Sequence, residues 1–191
     1  MKRVFFYTQG CSANIADSEI MAGILKENGF DIVDGFVEAD IIIFNTCTVK
    51  GPTETAFWKK LKEFSSMGKK VIIAGCIPQA EKDFSKFDGY SVIGTYQIDK
   101  ILDVVEETVN GNNVILVARE NRSKLNMPKI RNNDLVEIVP LSNGCLGSCT
   151  FCKTKHARGH LFSYPVEDVV RHVSKAVDYG AKEIWLTSQD N

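Results

Sequence analysis

The chain has 191 residues, a formal net charge of −1 from 23 basic and 24 acidic residues, and a hydrophobic fraction of 44%. With 25% charged residues this is the composition of a globular protein, which excludes a disordered chain, a collagen-like one and a small disulfide-stapled scaffold. The balanced charge offers no global electrostatic case for nucleic-acid binding, and no apolar run approaches the roughly 20 residues of a membrane-spanning helix.

The basic N-terminus is followed by an apolar stretch at residues 4–7 only, without a small-residue cleavage site, so a cytoplasmic protein with no membrane association is expected. Residues 4–7, aromatic and β-branched, predict a first strand. Ile20, Met21, Ile24 and Leu25 then recur at helical spacing until Asn28-Gly29. Residues 41–44 predict a second strand. The helix after it opens near Pro52, carries Phe57, Leu61 and Phe64 on one face, and ends at Gly68. Strands at 71–74 and 91–93, an amphipathic helix at 98–109 closed by Gly111, and a strand at 114–117 complete the series. Continuously apolar strands separated by helices predict an α/β domain over residues 1–118, its parallel sheet covered on both faces.

Residues 119–134 carry five basic residues against two acidic ones, with Pro128 and few large apolar groups, and read as a solvated linker with a basic bias. A strand follows at 135–139, then a polar loop with three cysteines. A helix at 165–179 comes next, with Pro165 in its first turn, Val166, Val169, Val170, Val173 and Val177 facing inward, and Gly180 as its stop. The last strand is at 183–187. One βαβ unit leaves its sheet edges and faces uncovered, so residues 135–191 read as the truncated beginning of a larger domain.

Six cysteines without a secretion signal suggest metal binding or catalysis before disulfides. Cys145, Cys149 and Cys152 form a C-x3-C-x2-C loop, with Gly144 and Gly147 giving the backbone room to bend. Such a loop can wrap one face of a cubane. A [4Fe–4S] cluster normally takes four cysteines, so three leave one iron open, which suggests a catalytic cluster over an electron carrier. Zinc held by these cysteines and His156 is the alternative, although structural zinc sites favour paired hooks; His156 and His160 read as polar loop residues. Cys11, Cys47 and Cys76 lack hook spacing, and each alone would read as a small buried hydrophobe. Yet each lies shortly past a predicted parallel strand, which carries all three to the carboxyl edge of one sheet, where open α/β folds place ligands. Together they make a second cluster site with one iron unligated by cysteine. Trp58-Lys59-Lys60 reads as an ordinary helix face with Trp58 touching the core. No P-loop or dinucleotide glycine motif is present, so nucleotide hydrolysis and nicotinamide chemistry have no support.

The cysteine loop, with Phe151 just before its last cysteine, resembles the radical S-adenosylmethionine (SAM) superfamily. Thr8-Gln9-Gly10-Cys11 with Asn14 and Asp17-Ser18-Glu19, then Asn45-Thr46-Cys47 and Ala74-Gly75-Cys76, resemble the N-terminal domain of the methylthiotransferases. The run from Gly144 to Gly159 and Leu186-Thr187-Ser188-Gln189-Asp190 resemble that family's archaeal and eukaryotic branch, which acts on tRNA. The resemblance implies a methylthio group attached to C2 of N6-threonylcarbamoyladenosine at tRNA position 37, with an external electron donor. It implies two [4Fe–4S] clusters. That on Cys145, Cys149 and Cys152 would cleave SAM to a 5′-deoxyadenosyl radical, with Phe151 near the adenine; that on Cys11, Cys47 and Cys76 would hold the sulfur to be transferred. A second SAM would supply the methyl group. Under the same resemblance, residues 153–160, with Lys153, Lys155, Arg158 and two histidines, contact RNA phosphate or the SAM carboxylate, or else form a solvated loop. The family's partial (β/α) barrel and its RNA-binding β-barrel extend well past the equivalent of Asn191, so this chain alone is expected to be inactive. Another base or a protein as substrate, or a non-catalytic zinc module, are the competing readings.

Overall fold

The computed structural model describes residues 1–49 and 51–190; Asn191, where the expected second domain stops, lies outside them. β1 (Arg3–Thr8) leads into α1 (Ser12–Glu27) and the short β2 (Asp31–Ile32), and β3 (Ile41–Thr46) into α2 (Gly51–Ser66). β4 (Lys70–Gly75) passes directly into the five-residue α3 (Cys76–Ala80). β5 (Ser91–Gly94) is followed by a 3-10 turn at Ile98–Lys100, α4 (Ile101–Asn110) and β6 (Ile115–Leu116). The six strands pair in parallel throughout, in the order β2-β1-β3-β4-β5-β6. That is the α/β architecture expected for residues 1–118.

The strand order has a functional consequence. From β1 the chain moves to one side of the sheet, towards β2, and from β3 it moves to the other, towards β4. Connections leaving the carboxyl ends of β1 and β3 therefore diverge and leave a crevice between them. β3 is buried along its whole length, which is why it is apolar on both faces. Ile41 and Ile43 join Met21 and Leu25 of α1 and Ile101 and Val105 of α4 in one core. Ile42 and Phe44 join Phe57, Leu61 and Phe64 of α2 in the other. Trp58 stacks on Phe87 at 5.8 Å and 15°, the core contact expected of it.

The second part comprises β7 (Val136–Pro140), β8 (Ser142–Asn143), α5 (Lys153–Arg158), β9 (Phe162–Ser163), α6 (Val166–Asp178) and β10 (Glu183–Thr187). β7 and β10 form a two-stranded parallel sheet, and the β8–β9 hairpin closes the base of the cysteine loop. Among the described residues no helix is long and apolar enough to cross a membrane.

Two expectations are corrected. On α6, Val169 and Val173 pack inward, but Val166, Val170 and Val177 are 71%, 58% and 54% exposed. A sheet of two strands offers only a narrow strip, and α6 lays onto it the stripe that includes His172 and Ala176. Residues 119–134 are not solvated throughout either: 119–122 and 132–134 are exposed, but the middle of the segment is packed. Lys124 and Leu125 are buried, and the Ile130 N–H donates to the Glu19 carbonyl at 2.9 Å. The segment crosses α1 at Gly23, where an added Cβ would lie 2.3 Å from the Lys129 nitrogen. Lys124 and Lys129 face buried carboxylates: Lys124 pairs with Asp17, and Lys129 with Glu19 at 3.1 Å and with Glu137, which also meets His172 Nε2 at 3.0 Å. The charges that read as a solvated surface are thus the seam between the two parts.

Candidate metal centres

Each residue of the first cysteine set starts from a strand end. Cys11 is the N-cap of α1, three residues past β1; Cys47 directly follows β3; Cys76 directly follows β4 and is the first residue of α3. The three strands are neighbours in the sheet, so the three thiols meet at one carboxyl edge, beside the crevice. Asn14, in the first turn of α1, ties them together. Its Oδ1 accepts from the Cys11 thiol at 3.5 Å and the Cys76 thiol at 3.8 Å, while its Nδ2 donates to the Thr46 carbonyl at 2.8 Å. Asn45 Nδ2 donates back to the Asn14 carbonyl and to Ser18 Oγ, both at 2.8 Å. The approach needs glycines. At Gly10 (φ +124°) a Cβ would lie 2.8 Å from that of Cys47, and at Gly75 (φ +94°) it would lie 2.2 Å from Asn45 Oδ1. Cys47 and Cys76 are buried and Cys11 is exposed. Burial pushes the Cys76 thiol up, while Arg158 beside it acts in the opposite sense.

Arg158 is the residue whose expected role changes most. It is 3% exposed, so it touches neither RNA phosphate nor solvent. α5 points it from the second cysteine motif into the first unit, where Nη1 pairs with Asp17 Oδ2 at 2.8 Å and Nη2 donates to Asn14 Oδ1 at 3.4 Å. Lys124 Nζ meets the other Asp17 oxygen at 2.6 Å. Burial lowers the Lys124 pKa. Burial also works against the Arg158 charge, but Asp17 and the Cys76 and Cys11 sulfurs more than restore it, so the guanidinium stands above its ordinary value. The carbonyls at the end of α5 are taken up by the first unit. Thr95 Oγ1 donates to Ala157 at 2.8 Å and Tyr96 OH to Arg158 at 2.6 Å.

The second set lies on the loop closed by the β8–β9 hairpin. Cys145 and Cys149 flank Gly147, whose added Cβ would sit 3.2 and 4.0 Å from their sulfurs. The Gly147 N–H donates to Cys145 Sγ at 3.1 Å. Cys152 is the N-cap of α5, and its thiol is held below the ordinary value chiefly by the Lys155 N–H, with Thr154 adding to it. Lys155, one candidate for RNA or SAM contact, braces the loop: its Nζ donates to the Cys145 and Gly147 carbonyls. The end of β10 braces the other side, since Gln189 Oε1 accepts from the Gly144 N–H at 2.9 Å and Asp190 Oδ2 from the Leu146 N–H at 2.8 Å. Phe151 is 88% exposed beside these cysteines; His156 lies in α5 and His160 two residues past its end, and both are exposed. Among the described residues no three His, Cys, Asp or Glu side chains are arranged around a single ion. A cubane asks for something different, because each thiolate takes a different iron.

Asn14, Asp17, Ser18 and Arg158, joined through Asn45, form one buried polar network linking the cysteine sets, while Glu19 on the same helix pairs with Lys129. Their sequence signal was their presence in the motifs; their roles depend on partners up to 144 residues away.

The model of the family described as Uncharacterized protein family UPF0004 matches residues 3–92. The threonylcarbamoyladenosine tRNA methylthiotransferases of Mus musculus and Homo sapiens are each 42% identical over 197 residues, covering 100% of this chain and 34% of theirs. The probable threonylcarbamoyladenosine tRNA methylthiotransferase of Pyrococcus horikoshii is 37% identical over 193 residues, covering 100% of this chain and 45% of its own. The chain thus spans about a third of the length of the animal relatives. Over its whole length, it is a homologue of the threonylcarbamoyladenosine tRNA methylthiotransferases.

Proposed function

We propose that this chain carries the two cluster-binding motifs of a radical SAM tRNA methylthiotransferase, which adds a methylthio group to C2 of N6-threonylcarbamoyladenosine at position 37. The observation that carries this reading is the gathering of Cys11, Cys47 and Cys76, distant in sequence, at one sheet edge, with a second three-cysteine loop bound to the same edge through α5. The donor sets fit thiolate-ligated cubanes. Each offers three sulfurs from a backbone kept close by glycine, and Cys152 is already biased towards thiolate. Cys11, Cys47 and Cys76 would hold one [4Fe–4S] cluster and Cys145, Cys149 and Cys152 the other, in the start of a radical SAM barrel.

An aromatic C–H is neither acidic nor electrophilic, so side-chain acid–base or nucleophilic chemistry does not reach it. The clusters and SAM would supply the radical, the sulfur and the methyl group, with electrons from an external donor. The chain's own part is to hold two sites in fixed relation. Lys155, Gln189 and Asp190 set the shape of the cysteine loop, and Arg158, Asp17 and Lys124 dock it onto the first unit. Phe151, exposed beside Cys152, would flank the adenine of bound SAM.

The full-length enzyme, given SAM, a reductant and tRNA bearing threonylcarbamoyladenosine, should yield the methylthio nucleoside by mass spectrometry. SAM cleavage without that product would retain the radical chemistry and overturn the substrate. Bound zinc with no iron after anaerobic reconstitution would overturn both.

A further inference from the structure

Near the first cysteine set, two buried cations meet one buried carboxylate. Lys124 Nζ occupies one oxygen of Asp17 at 2.6 Å, and Arg158 Nη1 lies 2.8 Å from the other. Among the described residues neither cation has a second carboxylate. An uncompensated charge held out of water is costly, so a surplus guanidinium calls for an anion beside it. What lies beside it is the cysteine set. Nη2 donates to Asn14 Oδ1 at 3.4 Å, and that same oxygen accepts from the Cys11 and Cys76 thiols. Two of the three cysteines are as buried as the guanidinium. The segment that delivers this charge starts at a residue of the other set, since α5 is capped by Cys152 and ends at Arg158.

We propose that Arg158 is the buried countercharge of the Cys11–Cys47–Cys76 site, a positioning residue by which the second cysteine motif sets the charge balance, and hence the reduction potential, of the first. The inference rests on the cluster reading above. A cubane on three thiolates is anionic, and more so once it takes up one electron from a donor. A fixed cation nearby stabilises the reduced form more than the oxidised one, so its removal makes the site harder to reduce. Asp17 retains Lys124 when Arg158 is neutralised, so that change leaves no orphaned carboxylate.

The test uses the full chain carrying Cys145→Ser, Cys149→Ser and Cys152→Ser, so that only the first site can take a cluster. It is reconstituted anaerobically with iron and sulfide, then titrated with mediators while the reduced cluster is followed by electron paramagnetic resonance. Arg158→Gln should shift the reduced-to-oxidised ratio at fixed poise by about tenfold towards oxidised, about 59 mV for one electron. Arg158→Lys, which keeps the charge, should recover most of that shift. In the same triple-serine protein with Arg158 intact, labelled with 15N-arginine, the reduced cluster should show a 15N hyperfine coupling, a readout that needs no substitution at Arg158. Failure of the first site to take up iron would overturn the cluster reading itself. Iron uptake with no 15N coupling would overturn the countercharge, as would equal potentials in the triple-serine protein with and without Arg158→Gln, or equal shifts in the Gln and Lys variants.

Discussion

Replacing Asp17 by Ala tests the seam between the two units most directly. Asp17 is 3% exposed and is the carboxylate shared by Lys124 and Arg158, whose side chains are 9% and 3% exposed. Its loss leaves two like charges facing each other out of water. Removing one partner of a buried pair costs about 3–5 kcal/mol, because the remaining charge keeps its desolvation penalty. At about 2–4 °C per kcal/mol for a chain of this size, the melting temperature should fall by about 6–20 °C. Urea unfolding should show a lower midpoint with an unchanged slope. The loss should also depend on pH. Burial already holds the Lys124 pKa below its ordinary value, and without Asp17 it falls further, so folding must expel a proton. A lysine whose folded pKa lies below its unfolded one costs stability at pH values below the unfolded pKa, about 10.4, and that cost vanishes as pH rises through it. The deficit against wild type should therefore narrow towards alkaline pH. Adding Lys124→Met to Asp17→Ala should recover at least about 1 kcal/mol by removing one orphan. A loss below about 1 kcal/mol, or no recovery in the double variant, would refute the reasoning.

Three further outcomes are expected. Cys47→Ala should remove about half the iron bound after reconstitution and leave the Cys145 site loaded; unchanged iron would separate Cys47 from Cys11 and Cys76. Lys155→Met, which frees the Cys145 and Gly147 carbonyls, should weaken cluster retention at the second site by about 10–100-fold, read as iron lost to a chelator, with the first site unaffected. Gly23→Ala should destabilise the chain by about 1–3 kcal/mol in urea, although alanine is the better helix former by about 1 kcal/mol, because the new Cβ meets the backbone at Lys129. A stabilised variant would show that residues 119–134 do not press on α1.

The sequence by itself determined the strand–helix alternation of the first unit, because β3 and its neighbours are apolar on both faces and their helices end at glycines. It also marked all six cysteines, since local spacing betrays one set and strand-end position the other. The short elements escaped it: β2 and β8 have two residues each, and α3 has five, too few for a period to register. The valines of α6 misled because a helix bearing two apolar stripes does not say which one its sheet will cover. Charge was the least legible property. Lys124, Lys129 and Arg158 look like a solvated surface until Asp17, Glu19 and Glu137 are placed opposite them, and the partner of Arg158 lies 141 positions away in the chain. Only the tertiary structure decides whether a charge meets water or a carboxylate, because that choice depends on a desolvation cost that the folded surroundings alone set.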